Sequence, residues 1–215
     1  TSQILSDEFV SEALRAAQEV GSFIVMDFAY KELVFNQDYP GYYSWSPSDN
    51  FISLRSNSKW CRGLGRRLGW IEAPEFVVSA METIQSSSVL CPDMLHQLAF
   101  TQYINNIDAN TLRNYISSVS SGYEEAAITT VKSIEEYLEM PALNPKGGLY
   151  TCVNVSEPGA KFVERILKST GVLFVPGWGF GHSMKNAIRI SYGPLYKNNK
   201  KIIEGFSRIK ESLGD

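Results

Sequence analysis

The chain has 215 residues, 44% hydrophobic and 20% charged, which suits a globular protein of one large domain or two small ones. A net charge of −3 gives no reason to expect nucleic acid or a membrane surface as a partner, and no apolar run approaches the roughly 20 residues of a membrane span. The three cysteines, Cys61, Cys91 and Cys152, are widely spaced and lack zinc-like pairing, so reduced thiols in a cytoplasmic protein are expected.

Residues 6–20 place Phe9, Val10, Ala13, Leu14 and Ala17 at helical spacing behind an N-cap at Ser6 or Asp7, and Gly21 ends the pattern. The apolar run 22–26 predicts a buried parallel strand that presents Asp27 at its carboxyl end, where open α/β sheets hold ligands. Residues 36–50, rich in Tyr, Pro, Ser and Asp, read as a loop. Strands follow at 51–55 and 68–71, then two helices with apolar faces at 74–86 and 92–105. A long helical pattern covers 109–139, with a break expected near Ser120-Ser121-Gly122. Beyond Pro141, strands are expected at 147–155, 172–175 and 187–192, and helices at 158–169 and 198–213. This alternation gives an α/β part, residues 1–107, followed by a small α+β domain, residues 108–215, that includes the long connecting helix.

Three stretches carry chemistry. Lys59 ends Ser56-Asn57-Ser58-Lys59, and Arg67 follows at a spacing of eight within Gly65-Arg66-Arg67-Leu68-Gly69-Trp70. An amine and a guanidinium beside two hydroxyls, with glycines admitting close backbone approach, can hold a small phosphorylated aldehyde. The lysine attacks a carbonyl only as the neutral amine, which burial and a nearby cation favour. Upstream stands Asp27-Phe28-Ala29-Tyr30, and far downstream Arg189 lies in Ala187-Ile188-Arg189-Ile190-Ser191-Tyr192-Gly193. The apolar flanks of Arg189 argue for a placed charge, and a strand-edge arginine paired with a surface acid is the alternative.

Together these stretches resemble the class I/II aminotransferases, the pyridoxal-phosphate enzymes of fold type I. The resemblance runs from the middle of such an enzyme to its C-terminus. It implies the C-terminal part of a large domain, mostly parallel sheet with helices, and then the small domain. It also implies a fragment, a processed chain or an incompletely read gene, with the glycine-rich phosphate loop and the ring-stacking residue lying elsewhere.

The resemblance further implies that Lys59 is the catalytic residue and forms a Schiff base with pyridoxal 5'-phosphate. Asp27 would pair with the pyridine nitrogen and Tyr30 with the ring oxygen, while Ser56, Ser58 and Arg67 hold the phosphate. Arg189 would grip the α-carboxylate of an amino-acid substrate. Val175-Pro176-Gly177 and Gly179-Phe180-Gly181 resemble the loop at the substrate mouth, and Pro145–Tyr150 the start of the small-domain sheet. Amino-acid and 2-keto-acid substrates, a cytoplasmic homodimer and no metal are expected. The same constellation serves a C–S lyase, a decarboxylase or a cyclising synthase, because the cofactor supplies the electron sink. A non-catalytic fragment is the remaining alternative.

Three positions depart from the family's pattern. Asn57 stands where an aliphatic or small residue is usual, and Arg62 and Gly63 where a small and then an apolar residue are usual. A basic patch of Lys59, Arg62, Arg66 and Arg67 for nucleic acid is disfavoured by the acidic total and the lack of interleaved aromatics. His96 and His182 lack partners at metal-ligand spacing and read as structural or loop residues. The four tryptophans read as packing residues, with Trp60 and Trp178 bordering the site.

Overall fold

The computed structural model describes residues 2–63 and 65–214. The chain divides into two compact units, Ile4–Val119 and Thr1–Gln3 with Ser120–Asp215.

In the first unit, helix α1 (Asp7–Glu19) starts where Ser6 Oγ accepts a hydrogen bond from the Phe9 amide at 3.2 Å. Asp7 and Glu8 then place negative charge at the positive end of the helix. The Asp7 carboxylate also accepts from the amides of Gly41 and Tyr42, at 3.0 and 2.9 Å, and so pins the 41–44 turn onto the helix. Val10, Phe28, Tyr42 and Phe51 form the core beneath, with Leu14, Ile24, Met26, Tyr43 and Trp45 packed around them.

Strands β1 (Ile24–Asp27), β2 (Phe51–Ser56) and β3 (Gly69–Glu72) lie in that order in one sheet. The β1–β2 pair is parallel and the β2–β3 pair antiparallel. A short apolar run does not encode the direction of its neighbour. β1 is less buried than expected: its burial alternates, with Val25 and Asp27 exposed, so among the described residues one face of the strand is left uncovered. Helices α2 (Glu75–Ser88) and α3 (Met94–Asn106) form at the expected places, and Asp93 Oδ1 caps α3 by accepting from Leu95 N at 3.0 Å. Among their described residues none is buried.

Helix α4 (Ala109–Ser133) begins in this unit and continues past Val119, with one π-helical turn at Ile134–Leu138 before Glu139 adopts the left-handed conformation. The expected break near Gly122 is absent. A side chain there would have no room, since a Cβ at 122 would lie 2.4 Å from the Tyr196 ring. Gly122 therefore serves close packing rather than a turn.

The second unit adds β4 (Tyr150–Asn154), α5 (Gly159–Thr170), β5 (Val175–Pro176), β6 (Ala187–Ser191) and α6 (Asn199–Gly214). The sheet order is β4-β6-β5, antiparallel throughout. α5 stops at Gly171, whose φ of +74° suits glycine. Ile166 of α5, Ile188 of β6 and Ile209 of α6 are fully buried, as is Ile134.

Candidate active site

The first unit gathers one set of polar groups at one end of its sheet. Asp27 ends β1 opposite Leu54, and the Phe28 amide donates to Leu54 O at 2.8 Å, which holds the strand end in register. Asp27 Oδ1 accepts from the Ala29 amide at 3.0 Å, an Asx turn that swings the chain toward Tyr30. β2 ends at Ser56, opposite Gly69 of β3. A Cβ at position 69 would lie 2.8 Å from Arg55 O, so the strand pair closes only with glycine there. The register therefore brings the segment leading to Lys59 and the segment leaving Arg67 together.

Within the turn after β2, the Ser58 amide donates to Ser56 Oγ at 3.1 Å, and Ser56 Oγ reaches Leu68 O at 3.4 Å. Asn57 and Ser58 are buried and Lys59 is half-buried. Lys59 Nζ lies 5.2 Å from the centroid of the Tyr30 ring, a cation–π contact between the ends of two strands. Arg62, Arg66 and Arg67 are exposed, and Arg62 and Arg67 both have a φ of +56°.

Beside this cluster, Arg55 forms ion pairs with Glu32 at 2.6 Å and Glu72 at 3.3 Å. Its guanidinium also lies 5.9 Å from the Trp70 ring. Burial pushes the Glu32 carboxyl above its ordinary range, and the attraction of Arg55 offsets only part of that shift. Nothing in the local sequence marks this network.

Arg189 lies in the second unit. Its strand β6 is the middle one, not an edge, and Cys152 and Val175 are its neighbours across the sheet. The guanidinium carbon lies over two rings, 4.4 Å from the Tyr150 centroid and 4.7 Å from the Phe180 centroid. Among the described residues no carboxylate is in ion-pair range, and Arg189 Nε is buried without a hydrogen-bond partner. Tyr150 and Phe180 both fall in segments the sequence singles out, but nothing there ties them to Arg189.

His96 and Asn57 are a further pair that sequence reasoning missed, Asn57 Nδ2 lying 3.0 Å from His96 Nε2. Trp60 is buried against Phe100, at 6.1 Å, while Trp178 is largely exposed.

An amine, a phenol, a carboxylate, two serine hydroxyls and a guanidinium thus occupy one end of one small sheet. That donor set matches the groups of pyridoxal phosphate: the aldehyde, the ring oxygen, the pyridine nitrogen and the phosphate.

The fold is that of the fold type I aminotransferases. The structure superposes on the aromatic aminotransferase of Pyrococcus horikoshii OT3 with a TM-score of 0.87, at 23% identity over 100% of this chain and 57% of that one. For the aspartate aminotransferase of Thermotoga maritima the TM-score is 0.86, at 23% identity over 100% and 54%. Residues 1–206 match the family described as aminotransferase class I and II, and the chain belongs to that family, whose members depend on pyridoxal phosphate. Among curated relatives, the (5-formylfuran-3-yl)methyl phosphate transaminase of Methanocaldococcus jannaschii is 28% identical over 94% of this chain and 53% of its own length. Aromatic-amino-acid aminotransferase 2 of Thermococcus litoralis is 28% identical over 99% and 54%. The chain spans about half the length of the curated relatives it matches. No helix among the described residues is long and apolar enough to cross a membrane.

Proposed function

We propose that the protein moves an amino group between an amino acid and a 2-keto acid, with pyridoxal phosphate as cofactor and Lys59 as the residue that bonds it. The observation that carries this reading is the contact of Lys59 Nζ with the Tyr30 ring, at the sheet end where Asp27 terminates β1, in a chain of this family. Bound pyridoxal phosphate supplies the electron sink for the pair left behind when an amino acid loses its Cα proton.

The chain's own groups do the rest. Lys59 Nζ would hold the cofactor at its aldehyde carbon, with loss of water, and as a free amine would take the proton from the substrate Cα. General acid–base transfer of this kind contributes about 10²–10⁴-fold. The Asp27 carboxylate holds a proton on the pyridine nitrogen, and the Tyr30 hydroxyl donates to the ring oxygen. Ser56, Ser58 and Arg67 take the phosphate, Arg67 as a bidentate donor. Arg189 pairs with the substrate α-carboxylate. In this reading residues 1–107 belong to the cofactor-binding domain and residues 108–215 to the smaller domain. Two copies of the whole protein associate, in the cytoplasm.

The test is direct. The chain is incubated with pyridoxal phosphate, reduced with borohydride and digested, and the pyridoxyl group is mapped by mass spectrometry. It is expected on Lys59 and absent from Lys59→Ala. A wild-type chain with no pyridoxyl group, or with one fixed elsewhere, overturns the assignment. Release of a 2-keto acid with pyridoxamine phosphate, rather than with ammonia, separates transamination from elimination.

A further inference from the structure

Asn57 sits two residues before Lys59 and is almost completely buried, at 1% exposure. Its Nδ2 lies 3.0 Å from Nε2 of His96, in the first turn of α3. The imidazole packs on Phe100 at 6.3 Å, and the backbone amide of His96, donating to Asp93 Oδ1 at 3.4 Å, belongs to the cap of α3. Phe100 in turn touches Trp60, the residue after Lys59, and Trp70 of β3. The lysine turn closes around the amide, since a Cβ at Gly63 would lie 3.3 Å from Asn57 Oδ1.

Asn57 Oδ1 itself is buried without a hydrogen-bond partner among the described residues. An unsatisfied buried acceptor is destabilising, whereas an apolar side chain of similar shape avoids that cost. Packing alone therefore favours leucine at position 57. The asparagine instead provides a directed bond from the lysine turn to α3. Either orientation of the amide makes it: Nδ2 donates to a bare Nε2, or Oδ1 accepts from a protonated one.

We infer that His96 is a positioning residue for Lys59, acting through Asn57, whose bond to α3 fixes the 56–59 turn so that the lysine leaves it toward Tyr30. This rests on the reading of Lys59 as the amine that takes the cofactor.

Two readouts in the 215-residue chain test it. One is the pyridoxal phosphate concentration that gives half-maximal borohydride-fixed pyridoxyl on Lys59. The other needs no cofactor: the NMR resonance of Lys59 after reductive ¹³C-methylation, assigned with Lys59→Arg. Asn57→Leu and His96→Ala are expected to raise the half-saturating concentration about 10-fold, the weight of one hydrogen bond. They are also expected to split or broaden the Lys59 resonance. Asn57→Leu should do so while melting no lower than wild type, which separates positioning from folding. His96→Gln, which keeps a nitrogen near the Nε2 position, should restore both readouts to within about 3-fold. Folded Asn57→Leu or His96→Ala chains with wild-type saturation and a single sharp Lys59 resonance overturn the inference. If the wild-type chain fixes no cofactor, the proposed function falls while the resonance still decides: dependence on His96 sustains the positioning role, and independence removes it.

Discussion

Lys59 Nζ lies 5.2 Å from the centroid of the Tyr30 ring, so the aromatic face that follows β1 meets the amine that follows β2. The contact gives the ring of this tyrosine a part in orienting the Lys59 side chain, apart from anything its hydroxyl does. Tyr30→Phe is therefore expected to keep Lys59 in place, and Tyr30→Leu to release it. A cation–π contact at a partly exposed site is worth about 0.5–1 kcal/mol, so Tyr30→Leu should raise the cofactor concentration for half-maximal capture about 2- to 5-fold beyond Tyr30→Phe. Borohydride fixation across a concentration series measures the difference.

The Arg189 guanidinium lies over the rings of both Tyr150 and Phe180, contacts that suit a planar, delocalised cation better than a compact ammonium. In the proposed reaction, Arg189→Lys should raise KM for the amino acid about 10- to 100-fold, the weight of a lost bidentate charge-assisted pair. It should change kcat far less. Initial rates over a range of amino-acid concentrations give both numbers. An unchanged KM would remove Arg189 from the carboxylate site.

Glu32 supplies a dependence on pH. Burial raises its carboxyl above the ordinary 4.5 in the folded chain. The folded state then holds that proton more tightly than the unfolded state. Its contribution to stability is complete below 4.5 and fades as pH climbs through the folded value. Denaturant melts between pH 4 and 7 should show wild type losing stability relative to Glu32→Gln as pH increases. A difference that is flat, or that grows the other way, contradicts the assignment.

Gly159 opens α5 against β6. A Cβ there would lie 2.1 Å from Ala187 O, while its amide already donates to Lys185 O at 2.9 Å. Backbone stands on both sides of the contact, so neither partner can rotate away. Gly159→Ala should destabilise by about 1–3 kcal/mol, visible as a melting midpoint several degrees lower. Gly65→Ala, where a Cβ meets nothing, is the matched control.

α2 and α3 leave large apolar side chains in solvent, with Leu95 75% exposed and Ile84 67% exposed. Exposed apolar side chains of this kind take up hydrophobic dyes and lower solubility. Leu95→Lys with Leu98→Lys should reduce dye fluorescence and raise the soluble yield, while the melting midpoint stays within about 2 °C.

These two helices also mark the limit of what the chain's letters convey. Their apolar spacing locates them to within a few residues, because periodicity reports that a face wants cover. It does not report which surface provides it, and here the described residues leave those faces open. Lys59, Arg67, Asp27 and Tyr30 are legible for another reason: each lies in a short string whose residue types fit one chemistry. The bond from Asn57 to His96 has no such mark, since it joins side chains on a turn and on a helix by tertiary folding alone. The antiparallel entry of β3 and the unbroken course of α4 through Gly122 are likewise set by partners distant in sequence, Arg55 and Tyr196.

Arg67 has a left-handed φ of +56°, a state that costs an ordinary residue on the order of 1 kcal/mol and glycine almost nothing. Any protein engineer optimising this chain for thermal robustness would therefore be drawn to glycine at 67. The resulting variant would have shed that backbone strain and lost the cation proposed to clasp the phosphate. Selection for robustness and selection for turnover pull in opposite directions at this one codon.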